Sequence, residues 1–158
     1  FALTPNVTHA KSRGTVRLRS LDYRDKPKVD PRYFTDEEGH DMRVAVAGIK
    51  KAREIVAQPA LADKVVRELF PGEDVQTDEQ IAEYVSKTHN TVYHPAGSCR
   101  MGAVDDAMSP LDPQLRVKGV TGLRVVDASV LPIPISGNLN GPIAALAWRA
   151  ADLTTGGD

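Results

Sequence analysis

The sequence predicts an α+β fold, and three patterns carry that expectation. Thr15-Val16-Arg17-Leu18-Arg19-Ser20 alternates apolar and charged side chains, the period of a half-buried strand. Met42, Val46, Ile49, Arg53 and Val56 recur at three- and four-residue intervals, the period of an amphipathic helix. Two short runs, residues 114–117 and 123–126, flank a Lys118-Gly119 turn and read as further strands. With 158 residues, 41% of them apolar and 26% charged, the chain has material for one ordinary soluble domain.

Each element has a local reason. Residues 23–31 are rich in charge and proline and read as a connection. Thr35-Asp36-Glu37-Glu38 offers a capping oxygen and early acids, so the first helix is expected over 36–58. A shorter helix is expected over 61–69, stopped by Pro71-Gly72. Thr77-Asp78-Glu79-Gln80 opens another, with Ile81, Tyr84 and Val85 on its apolar side. Residues 105–113 are turn-rich, and Asp127 stands where the second short strand ends. Pro142 suits the first position of a last helix, which carries Ile143, Leu146, Ala147, Ala150 and Ala151 and runs to Leu153. Residues 154–158 are expected to fray. No internal repeat or low-complexity tract is present.

Several function classes recede at once. A net charge of −1 gives no basic surplus to neutralise phosphates, which argues against nucleic acid. No apolar run approaches the ~20 residues of a membrane span, and no charged leader precedes an apolar core. The single cysteine, Cys99, excludes an internal disulfide and fits a reducing cytoplasm, the expected location. No His-x-x-x-His or Cys-x-x-Cys spacing supports a metal site. Ser98 lacks the G-x-S-x-G setting of a hydrolase nucleophile. The opening Phe1-Ala2-Leu3-Thr4-Pro5 starts in mid-pattern, as in a piece of a longer protein.

Two polar clusters carry the chemistry. One is Tyr93-His94-Pro95-Ala96-Gly97-Ser98-Cys99-Arg100-Met101-Gly102, the other Ser136-Gly137-Asn138-Leu139-Asn140-Gly141-Pro142. Between them lies Leu123-Arg124-Val125-Val126-Asp127-Ala128-Ser129. Together with Ser12-Arg13-Gly14-Thr15-Val16-Arg17-Leu18 and Val29-Asp30-Pro31-Arg32-Tyr33-Phe34, these segments resemble the C-terminal part of the GMC (glucose–methanol–choline) oxidoreductases. The Asn-x-Asn-Gly-Pro form is similar to the choline dehydrogenase-like branch, and Ser98 stands where the family usually has threonine.

The resemblance implies a GMC C-terminal domain over residues 1–158. Residues ~1–95 would be the substrate-binding part, an antiparallel sheet with helices. Residues ~96–158 would supply the catalytic loop and a strand–loop–helix that completes an FAD-binding domain located elsewhere. The family's G-x-G-x-x-G cradle has no match here, because Gly137, Gly141, Gly156 and Gly157 lack its spacing. The implied cofactor is FAD, and the implied partners are a small alcohol and an N-terminal FAD-binding portion. Alone, the chain is expected to hold flavin weakly, to be inactive, and to self-associate as a homo-oligomer through uncovered apolar surface.

Oxidising an alcohol by hydride transfer to flavin N5 requires a base for the hydroxyl proton and a partner for its oxygen. Histidine suits the base, since its ordinary pKa of about 6.5 leaves it largely neutral near pH 7. The motif match assigns that role to His94. His9, His40 and His89 have no such setting, and a place at a helix end suffices for His89. The family's second catalytic position, histidine or asparagine, falls on Asn138, with Asn140 as its rival. Asparagine takes no proton but both donates and accepts hydrogen bonds. Asn138, Asn140, Gly141 and Pro142 are also implied to meet the flavin, at a helix start whose unpaired N–H groups favour negative charge. Asp127 and Ala128 match the position that meets the ribityl–pyrophosphate region, although a turn cap alone would also explain Asp127. Two other readings stay open: a flavin-free binding domain, and a GMC-fold lyase.

Overall fold

Residues Thr15–Arg17 become a strand (β1) by pairing antiparallel with Lys28–Asp30 (β2), in the register Thr15↔Asp30, Val16↔Val29, Arg17↔Lys28. β2 lies inside the stretch expected to be a mere connection. Its three residues, Lys28-Val29-Asp30, are too few and too charged to show an apolar period, so the pairing itself makes it a strand. At Gly14, just before β1, a Cβ would sit 2.3 Å from the Asp30 carbonyl oxygen. Only glycine lets the two segments approach there.

The computed structural model describes residues 1–156 and divides the chain into two units, Phe1–Asn90 and Thr91–Asp158. In the first unit three helices follow the hairpin: α1 (His40–Val56), α2 (Pro59–Ala62) and α3 (Asp78–Thr88). Helix α1 begins four residues later than expected. Gly39 is left-handed at φ 62°, which no helical residue adopts, while the Asp36 carboxylate accepts the N–H groups of His40 and Asp41 from in front. Helix α2 stops well short of Leu69. Arg53 holds Glu68 through Nε–Oε1 and Nη2–Oε2 bonds of 3.0 and 2.8 Å, and also donates to the Val75 carbonyl at 2.7 Å. Val66, in the same stretch, is fully exposed and so gives that segment no apolar face to bury as a helix. Helix α3 opens as expected, with a complete capping box between Thr77 and Gln80. Val46, Ile81 and Val85 form the buried core of this unit, with Phe34, Met42, Ile49 and Tyr84 packed against them.

Asp41 is 2% exposed and accepts the N–H groups of Lys11 at 2.7 Å and Ser12 at 2.9 Å. Burial disfavours its charge, but those two N–H groups, the Ser12 hydroxyl and nearby His40 outweigh it and hold the pKa below the ordinary carboxylate value. A depressed folded-state pKa stabilises at pH above the unfolded value and loses that contribution as pH falls through the folded one. Denaturant midpoints are therefore expected to hold steady down to about pH 4 and to fall below it. Asp41→Ala strands two donors and is expected to cost about 1–3 kcal/mol at neutral pH. A midpoint unchanged in this variant, with the acid fall intact, would show that Asp41 does not anchor the unit.

The second unit has its own core of Leu111, Leu115, Val130 and Ala150, joined by Cys99, Met101, Val117, Val125 and Leu146. The two strands expected at 114–117 and 123–126 are reduced to isolated bridges, Leu111↔Val117 and Arg116↔Arg124. Leu115 is left-handed at φ 63°, which breaks the extended run, and buried Asp112 holds the bend by accepting from the N–H groups of Gln114 and Arg116. A short 3-10 turn (Ala128–Val130) follows, and then helix α4 (Asn140–Thr155). Helix α4 starts two residues before Pro142, which occupies its first turn, where a missing N–H costs no intrahelical bond. It also runs past Leu153: the hydroxyls of Thr154 and Thr155 bond to the carbonyls of Ala150 and Ala151. Gly156 ends the helix in the left-handed region at φ 77°, and the last two residues of the expected frayed tail, Gly157 and Asp158, lie outside the described residues.

Candidate active site

The second half of the 93–102 motif is fixed by backbone bonds. The N–H of Cys99 donates to the Ser129 carbonyl at 3.0 Å, that of Met101 to Val130 at 2.8 Å, and that of Gly102 to Leu111 at 3.0 Å. The motif thus runs beside the turn that follows Asp127. Gly97 has φ 85°, and a Cβ there would stand 3.2 Å from the Leu131 carbonyl. Cys99 is half-buried and packs on the core, as a small apolar residue does.

Gly102 ends the motif for a steric reason. A Cβ there would lie 2.6 Å from Ser109 Oγ and 2.9 Å from Asp106 Oδ2. The 103–109 loop that crowds it is stitched by Lys118, whose Nζ donates to the carbonyls of Ala103 at 2.6 Å and Asp106 at 2.8 Å, and to Ser109 Oγ at 2.7 Å. Sequence reasoning missed this lysine, because a single cation in a turn carries no motif.

His94 is half-buried, and its ring takes no hydrogen bond from another described residue. Pro95 after it favours extended backbone at His94. Tyr93 before it is left-handed, at φ 62°. Asp127 is exposed; its Oδ1 accepts the Ser129 N–H at 2.8 Å and so caps the 3-10 turn. The cap uses one carboxylate oxygen, and Ala128 is half-buried beside it.

Asn138, Asn140, Gly141 and Pro142 are all exposed at the start of α4, around buried Leu139. No side chain caps this helix, so the N–H groups of Asn140 and Gly141 have no intrahelical acceptor. A Cβ on Gly141 would meet nothing within 4 Å. Helix α4 is held by Leu146 and Ala150 in the same core as Cys99, Met101 and Val130. One core therefore carries the histidine loop, the Asp127 turn and the asparagine-bearing helix start. It does not bring the polar tips together: among the described residues no hydrogen bond joins His94 to Asn138, Asn140 or Asp127.

The other histidines lie in the first unit. His89 closes α3, its Nδ1 3.1 Å from the carbonyls of Val85 and Ser86, and its ring meets Tyr33 and Phe34 edge-on at 5.2 Å. His40 is the first residue of α1, and His9 precedes β1. A surface recess of about 480 Å³ lies beside the 116–124 turn, lined by Val104, Asp112 and Arg116 among others, and includes neither His94 nor Asn138. Among the described residues no cluster of three metal-ligating side chains occurs, and no helix is long and apolar enough to cross a membrane.

Comparison with known proteins gives a consistent result. The family model described as GMC oxidoreductase matches residues 10–147. Choline oxidase of Arthrobacter globiformis is 69% identical over 153 residues, which is 97% of this chain and 28% of that protein. The mitochondrial choline dehydrogenase of Homo sapiens is 43% identical over 144 residues, covering 90% of this chain and 24% of its own length. Among solved structures, pyridoxine 4-oxidase from Mesorbium loti superposes with a TM-score of 0.85 at 30% identity, over 94% of this chain and 28% of that one. The chain spans about a quarter of the length of the curated relatives it matches.

Proposed function

The chain belongs to the GMC oxidoreductase family, and from that premise we propose that it is the C-terminal catalytic portion of an FAD-dependent enzyme that oxidises the CH–OH group of choline or a closely similar alcohol. The observation that carries the chemistry is the shared core, which anchors the His94 loop, the Asp127 turn and the start of α4 in one unit. The identity of 69% with a choline oxidase supports the choice of alcohol.

In this reading His94 removes the hydroxyl proton of the alcohol and Asn138 holds its oxygen by donating and accepting hydrogen bonds. FAD, when bound, supplies the hydride acceptor. This chain's residues fit part of it: the uncapped N–H groups of Asn140 and Gly141 suit carbonyl acceptors, and the second oxygen of Asp127 suits sugar hydroxyls. Most of the cofactor's cradle would belong to an N-terminal portion, with residues ~1–95 forming the substrate side and ~96–158 completing the flavin domain. A cytoplasmic location, suggested by the single thiol, belongs to the same proposal. The relatives named above are oxidases and dehydrogenases, which favours alcohol oxidation over a flavin-free binding domain or a lyase.

The test uses the full-length protein with its bound flavin. Adding choline without oxygen is expected to bleach the flavin absorbance, with betaine aldehyde as product. A spectrum that choline and other small primary alcohols leave unchanged would end the proposal.

A further inference from the structure

The left-handed backbone at Tyr93 needs an explanation that the base-and-asparagine scheme does not supply. Its φ of 62° lies in a region that residues with a Cβ avoid, and bulky ones most of all. Tyr93 is 79% exposed, so packing of its side chain does not hold the conformation. What does act on it is a short side-chain turn: the Tyr93 N–H donates to Thr91 Oγ1 at 2.9 Å.

The next residue is His94. On its C-terminal side the chain is already fixed, by Pro95 and by the bonds from Cys99 and Met101 to Ser129 and Val130. On its N-terminal side the Thr91–Tyr93 turn sets the direction from which the backbone enters. A left-handed residue turns the chain sharply, so its loss would swing the following Cα–Cβ bond. Misplacing a reacting group by about 1 Å is enough to cost up to about 10² in rate.

We infer that Thr91 is a positioning residue for the alcohol oxidation: its hydroxyl holds the left-handed turn at Tyr93, and that turn aims the His94 imidazole at the substrate hydroxyl. The inference rests on the reading of His94 as the base.

The experiment compares Thr91→Val and Thr91→Ser in the full-length flavoenzyme, with Thr91→Ala as a second variant lacking the hydroxyl. Thr91→Val and Thr91→Ala are expected to lower kcat about tenfold with KM changed less than about twofold, as for a misdirected group rather than a lost binding contact. Flavin content should not change. Thr91→Ser keeps the hydroxyl and should restore most of the rate. Amide exchange in the peptide spanning 91–95 should quicken in the two variants without the hydroxyl and not in Thr91→Ser. In a His94→Ala background Thr91→Val should cost nothing further, because no imidazole remains to be aimed.

Equal losses in Thr91→Val and Thr91→Ser would overturn the inference, as would wild-type kcat in both variants lacking the hydroxyl. So would an undiminished Thr91→Val effect in the His94→Ala background. Full activity in His94→Ala alone has a different meaning: it would bring down the assignment of the base, and this role for Thr91 with it.

Discussion

His94→Ala in the full-length enzyme is expected to lower alcohol turnover by about 10²–10⁴, the usual cost of a missing general base. An alcohol hydroxyl does not release its proton unaided at neutral pH, so hydride loss from the carbon stalls unless a neighbouring group takes that proton. Flavin content should stay at the wild-type level, because the residues proposed to meet the cofactor in this chain lie at Asp127 and at the start of α4. Structure should survive as well, since the His94 ring bonds to no other described residue. Stopped-flow reduction with flavin content checked separates these effects. An alanine variant that reduces its flavin at the wild-type rate would remove His94 from the mechanism.

Asn138→Ala is expected to slow flavin reduction by the alcohol about 10²-fold, the size of one lost positioned donor. Asn140→Ala should act elsewhere. Asn140 is the first residue of α4 and Asn138 precedes the buried Leu139, so Asn140 stands closer to the Gly141-Pro142 helix start proposed to meet flavin. Loosened flavin or an altered flavin potential is the expected result there. Asn138→His should return part of the rate, given that family members use histidine at the matching position. Normal reduction in Asn138→Ala, with none in a fully flavinated Asn140→Ala, would reverse the two roles.

Much of this architecture is legible in the amino-acid sequence. Helices α1 and α3 announce themselves by apolar period, and the Thr77–Gln80 capping box sits where the local sequence demands it. The features that do not read from sequence have non-local causes. β2 is a strand through its pairing with β1, beside which Gly14 leaves room for the Asp30 carbonyl. Beyond Ala62, where the helix expected to reach Leu69 stops, Glu68 is bonded instead to an arginine on a different helix. Leu115 is the local exception: Asp112, three residues earlier, holds the bend in which it is left-handed, a conformation that no propensity scale assigns to leucine. The candidate site divides the same way. The side chains proposed to carry chemistry are named by motif resemblance, whereas Thr91, Ser129 and Val130, which bond to the histidine loop, become visible only through those bonds.

Gly102 has a consequence for how this sequence can drift. Its hydrogen occupies the space in which any side chain would strike Ser109, and Ser109 is 2% exposed and tied to Lys118, so it has nowhere to retreat. The two positions are therefore not independent characters in a lineage. A residue larger than glycine at 102 becomes accessible only after the 103–109 loop has been rebuilt, and a rebuilt loop has no further use for Lys118. Glycine, serine and lysine at these places should be inherited or lost as a set, a signature of packing that motif-reading alone would mistake for catalysis.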